Sequence, residues 1–178
     1  MRRAAAVLLA LAPQAWGASP APVLSQEHRH PSGAFTFRVP DGWTVRGGER
    51  PGTVEASAGV LIVRFVWQKA DLGVDIAHTT CMLERPVPGQ PSEAQTSYEY
   101  DFLSGTVGDR QVLDSAFKIQ YDAPIRGHKE WRQRNLTVIG QGETLCVVSF
   151  APKAEAKKSR PLMDAIATSV IFPPPPAR

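Results

Sequence analysis

The sequence predicts an α+β fold, an antiparallel sheet covered by helices, and three observations predict it. Apolar and polar residues alternate in one segment after another between Phe35 and Phe150, as in strands with one buried face. Two stretches, 71–84 and 151–170, instead repeat apolar residues at helical spacing. The connectors Gly108-Asp109 and Gly140-Gln141-Gly142 are short enough for antiparallel hairpins. Strands paired by hairpins, with amphipathic helices to cover them, form the layers of an α+β domain.

The first residues read as an export signal rather than as part of that domain. Arg2 and Arg3 precede an uncharged apolar run over 4–12, then Pro13 and the small-residue stretch Ala15-Trp16-Gly17-Ala18. Charge, a short apolar core and alternating small residues are what a signal peptidase reads. Cleavage after Gly17 places Ala15 and Gly17 in its two small pockets, so 1–17 is the expected leader. The run is shorter than the roughly 20 residues that span a bilayer, and no Cys follows it for lipidation. No stable membrane insertion is expected. Losing Arg2 and Arg3 lowers the formal charge from +3 to +1, too little to draw in nucleic acid. The expected localisation is periplasmic or secreted.

Residues 18–31 are polar and read as a flexible arm; a single domain is expected over 32–172. Phe35-Thr36-Phe37-Arg38-Val39 alternates as a strand, and Pro40-Asp41-Gly42 ends it with turn chemistry. Trp43-Thr44-Val45 restarts an extended segment, followed by one at 53–58. The near-continuous apolar run 60–67 predicts a central strand covered on both faces. Asp71 is the expected cap of a helix over 71–84, with Leu72, Ile76, Thr79 and Leu83 along one side. Pro86, Pro88 and Pro91 stop it. Strands are expected at 96–106, 111–121, 130–140 and 144–150. A last helix over 151–170, with a break expected near Pro161, aligns Leu162, Ile166 and Val170 toward the sheet. Residues 173–178 read as a Pro-rich tail.

Two phrases carry a family resemblance. Phe35-Thr36-Phe37-Arg38-Val39-Pro40-Asp41-Gly42-Trp43 and Ile166-Ala167-Thr168-Ser169-Val170-Ile171-Phe172 resemble the opening strand and turn, and the closing helix-to-strand phrase, of the PsbP-like superfamily. That group includes small bacterial envelope proteins related to DcrB. The resemblance implies an α/β/α sandwich over about Ser32 to Phe172 and an accessory or binding role. It carries no catalytic residue across, because the matching positions are core and turn residues.

Residue chemistry leaves several alternatives open. Cys81 and Cys146 are compatible with one disulfide in an oxidising compartment; two buried, unpaired thiols are the alternative. His78 and Cys81, three apart on a helix, could hold a metal or pair a thiolate with a base, although a surface His beside a core Cys fits the same spacing. Glu27-His28-Arg29-His30 puts two imidazoles on one side of an extended segment, a weak copper, nickel or zinc pair or simply solvated side chains. His128 with Lys129, Glu130 and Asp122 could make an acid–base group, or a soluble turn. Trp131 with Arg132 and Arg134 could be an exposed binding anchor; strand alternation instead turns the Trp inward and the arginines outward.

No catalytic, metal or cofactor set is expected. The favoured function is a non-catalytic exported accessory or binding protein whose partner is an unknown protein, peptide or small ligand of the envelope. The alternative is a small enzyme or metal-handling protein using His78/Cys81 or His128.

Overall fold

The structure, a computed structural model, describes residues 22–87, 94–107 and 109–173. The expected leader lies outside them, as do Pro88, Pro91, Gly108 and all of the tail beyond Pro173. The chain runs through β1 (Gln26–Arg29), β2 (Thr36–Val39), β3 (Thr44–Gly47), β4 (Thr53–Ala58), β5 (Leu61–Gln68) and α1 (Val74–Met82). Then come β6 (Ala94–Val107), β7 (Arg110–Ile125), β8 (His128–Gly140), β9 (Glu143–Pro152) and α2 (Lys153–Thr168).

Seven strands form one sheet in the order β3-β4-β5-β9-β8-β7-β6, every neighbour antiparallel. The fold class is therefore the predicted one. Strand β5 lies inside the sheet between β4 and β9 and is buried on both faces. The β8–β9 hairpin closes through Gln141 and Gly142, both at positive φ (59° and 77°). That two-residue geometry matches the right-handed twist of the flanking strands. The β7–β8 hairpin uses the same device at Arg126 and Gly127.

Alternation divides the sheet into two faces. Val63 and Phe65 of β5, Leu145 and Val147 of β9, and Leu136 and Val138 of β8 join Met163, Ile166 and Val170 in one buried cluster beneath α2. Ile62, Val66, Cys146, Val148, Phe150, Phe117 and Trp131 point to the opposite face, where Cys81 of α1 joins them. A sheet with one helix on each face has the layer order of an α/β/α sandwich.

The sequence expectations need four corrections. First, β2 is not in the main sheet. It pairs with β1 as a separate two-stranded sheet and lies beside α2, with the Phe37 and Phe65 rings 4.1 Å apart. The chain after α2 holds it there: Thr36 and Ile171 exchange both backbone hydrogen bonds at 2.9 Å.

Second, the expected arm becomes structure at residues 26–30. His28 and His30 stack on Phe37 and Phe35, which satisfies the same alternation with aromatic rather than aliphatic inward residues.

Third, α1 is shorter than expected and shows a different face. Gly73 occupies its N-cap, while Asp71 accepts from the Gly142 backbone N–H at 3.0 Å. Ile76 and Leu83 are exposed; Ala77, His78 and Cys81 are buried. Fourth, α2 continues through Pro161. The imino acid is exposed, and it costs the helix the bond to the Lys157 carbonyl.

Candidate binding cleft

Beneath α1 the chemistry is structural. Cys81 and Cys146 form a disulfide with Cα atoms 5.7 Å apart. A bridged Cys81 has no thiolate to act as nucleophile or ligand. Thr137, cross-strand partner of Cys146, donates its hydroxyl to Cys81 Sγ at 3.0 Å. Gln133 donates to the Cys81 carbonyl at 3.1 Å and to Asn135 Oδ1 at 2.9 Å. Short as it is, α1 is riveted by one covalent bond and a polar layer on β8. His78 is 8% exposed rather than on the helix surface, and its ring lies 6.2 Å from that of Phe117.

The remaining sequence candidates separate. Trp131 is fully buried, as alternation predicts, and its indole N–H donates to the His128 carbonyl at 3.1 Å. His128 packs edge-on against that ring at 6.0 Å. Glu130 turns away to Lys153, 2.6 Å distant, and the hydrogen bond from that ammonium holds its carboxyl below the usual range. The Glu130 carboxylate envisaged beside His128 is therefore engaged by Lys153 instead. His28 and His30 face aromatic rings, and no group of three or more metal-type side chains occurs among the described residues.

A buried ion cluster lies toward the β3 edge, on the α1 face. Arg64, 2% exposed, bridges Glu55 at 2.7 Å and Glu84 at 3.0 Å and donates to the Arg85 carbonyl at 2.7 Å. Arg46 and Arg50 reach the same carboxylates from outside. Burial works to raise the Glu55 pKa, but the hydrogen bonds from Arg64 and Arg46 outweigh it and hold the group below its ordinary value. These ion pairs fasten the chain after α1 to the sheet.

The opposite face has space left over. The register places Arg132 across from Ala151, and Arg134 between Ala116 and Ser149. Small residues on this floor cannot fill the gap under the N-terminal half of α2. The result is a cleft of about 370 Å³, walled on the helix side by Lys153, Ala156, Lys157, Arg160, Met163 and Asp164, with Glu99 at the β6 rim. That volume lies in the range of small-ligand sites.

Five cations and two carboxylates line the cleft, and they are unequally paired. Arg134 makes a two-pronged contact with Asp114, at 2.9 and 2.6 Å, and also reaches Asp164. Lys153 goes to Glu130. Among the described residues, Arg132 makes a 3.9 Å approach to Glu99 and a 3.3 Å bond to the Trp131 carbonyl, and acts on Glu130 at longer range. Lys157 makes no ion pair among the described residues. Arg132 and Lys157 therefore keep donor capacity directed at the cleft.

The sequence reading included Arg132 and Arg134 but missed the helix side. A signal was there: Lys153, Lys157, Arg160 and Asp164 follow a 4-3-4 spacing, one stripe of a helix.

An α+β sandwich with one helix riveted by a disulfide and a cation-lined cleft under the other is the class this geometry defines. The chain has the PsbP-like fold that its two phrases resemble. Its structure is similar to the solution structure of cyanobacterial PsbP (CyanoP) from Synechocystis, with a TM-score of 0.64 and 12% identity over 90% of this chain and 98% of that one. It is also similar to a crystal structure from Bacteroides thetaiotaomicron, with a TM-score of 0.57 and 8% identity over 88% of this chain. This chain spans 51% of that one. LpqN of Mycobacterium tuberculosis, described as involved in cell envelope biogenesis, matches with a TM-score of 0.47 and 14% identity over 83% of this chain and 91% of that one. No protein-family model matches the sequence, and no curated protein matches it significantly.

Proposed function

We propose that this chain is an exported, non-catalytic accessory or binding protein of the cell envelope, periplasmic or secreted, which holds its ligand or partner in the cleft beneath α2. The cleft is the observation that carries the reading. It combines a concave shape, an apolar lining of alanines and Met163, and cations with unused donors, the mixture that binding sites use for orientation and affinity. The disulfide supports export, since such bonds persist in oxidising compartments. The leader expected at 1–17 supports it as well. No helix among the described residues is long and apolar enough to cross a membrane. The near-neutral mature charge offers no broad field for nucleic acid.

A photo-crosslinking residue introduced at position 160, on the cleft rim, tests the reading in cells. The control is the same residue at position 69, exposed just after the end of β5 and outside the cleft lining. The reading expects an adduct, protein or small molecule by mass, from position 160 only. Equal yields from both positions, or no adduct from position 160, would contradict it.

A further inference from the structure

We infer that the cleft beneath α2 is an anion receptor, taking a phosphate or carboxylate head group through Arg132 and Lys157 with a short apolar portion against Ala151, Ala156 and Met163. This rests on the cleft being the binding surface and adds the chemistry of what it binds.

Three observations converge on that chemistry. The first is the charge that remains after internal pairing. Arg134 and Lys153 are committed to Asp114 and Glu130 at hydrogen-bond distance, whereas Arg132 and Lys157 are not so committed. The second is burial. The Arg132 side chain lines the cleft and is 22% exposed, so it is partly withdrawn from water, where a charge-assisted bond is stronger than at the surface. Planar guanidinium donors match the spacing of carboxylate and phosphate oxygens. The third is the floor. Ala116, Ser149 and Ala151 leave depth beside the guanidinium, and Ala156 and Met163 of α2 provide an apolar wall. A head group with a short apolar portion satisfies both surfaces; a bare cation satisfies neither.

Two sources carry such a head group, a free organic anion and an anionic lipid, and the experiment separates them. The full chain, labelled with ¹⁵N, is titrated with phenyl phosphate and, in a parallel arm, with phosphatidylglycerol–phosphatidylcholine vesicles. The inference expects saturable shifts in the backbone amides of Ala151 and Ala156 with at least one probe. Affinity should fall tenfold or more in Arg132→Gln and in Lys157→Gln, and stay unchanged in Lys69→Gln, which removes the same charge elsewhere. A response to phenyl phosphate alone identifies a free anion, and one to vesicles identifies the lipid head group; either supports the receptor. If Arg132→Gln fails to fold, the exposed Lys157→Gln decides. No saturable shift with either probe overturns the inference, as does a loss equally large in Lys69→Gln. A crosslink from position 160 without anion binding would leave the cleft as the binding surface and remove only the anion assignment.

Discussion

Breaking the Cys81–Cys146 bond should loosen α1 before it unfolds the sheet. The bond joins residues 65 apart, and closing a loop of that size removes denatured-state entropy worth about 4 kcal/mol. A nine-residue helix is also too short to persist unaided in water, where roughly 12–15 residues are marginal. What else holds α1 is the burial of Ala77 and His78 and the hydrogen bond from Gln133 to the Cys81 carbonyl. For a domain of this size each kcal/mol moves Tm by about 2–4 °C, so a drop on the order of 10 °C is expected. Urea unfolding of the oxidised protein is to be compared with the reduced protein and with Cys81→Ala/Cys146→Ala. Trp131, in the same core cluster as both cysteines, reports by fluorescence, and hydrogen exchange reports on the α1 amides. Those amides should lose protection first. Stabilities within about 1 kcal/mol of each other, with α1 protection unchanged, would refute the argument.

Other predictions follow from single features of the fold. Burial holds His30 below its ordinary pKa of 6.5, outweighing a hydrogen bond to the Gly52 backbone that works the other way. The unfolded chain therefore takes up the proton first. The stability linked to His30 should be complete above pH 6.5 and lost as pH falls toward the depressed folded value. Urea midpoints across pH 8 to 5 should show this slope, and His30→Gln should flatten it. Arg64→Met should cost about 3–5 kcal/mol by chemical denaturation, because it leaves Glu55 and Glu84 buried without their shared cation; a cost below about 1 kcal/mol would deny the cluster its role. Gly52→Ala places a Cβ against the Trp67 carbonyl oxygen at φ +74°, whereas Gly59→Ala at φ +59° meets open space. The first should destabilise well beyond the second, for which about 1–2 kcal/mol of left-handed strain is expected, with paired melts as the measurement.

Much of the sheet was legible because its signals are local. The strands of the second half alternate over long runs, and Gly142 supplies the positive φ that the β8–β9 hairpin requires. The helix α1 misled because nine residues hold too few apolar positions to define a face. Leu83 and Ile76 look like anchors by hydropathy, yet the covalent bond at Cys81 sets the rotation and turns Ala77 and His78 inward. Strand β1 was illegible for a related reason: its inward residues are histidines, and only the rings of Phe35 and Phe37 across the hairpin make them core. The two imidazoles do share one side, as the spacing implies, but that side faces aromatic carbon. Arg64 inside an apolar strand gave no local clue to its partners. Glu55 faces it only through the β4–β5 register, and Glu84 lies 20 residues on. The cleft depends on the same kind of non-local fact, small residues of β7 and β9 falling under one stretch of α2.

Native mass spectrometry of the protein recovered from the envelope fraction, wild type beside Arg132→Gln/Lys157→Gln, tests most directly whether binding takes place under α2. The account predicts a bound species of defined mass on the wild-type protein and its loss from the variant, with the folded charge-state distribution retained. A bound species that persists undiminished in the variant would place binding elsewhere and contradict the account.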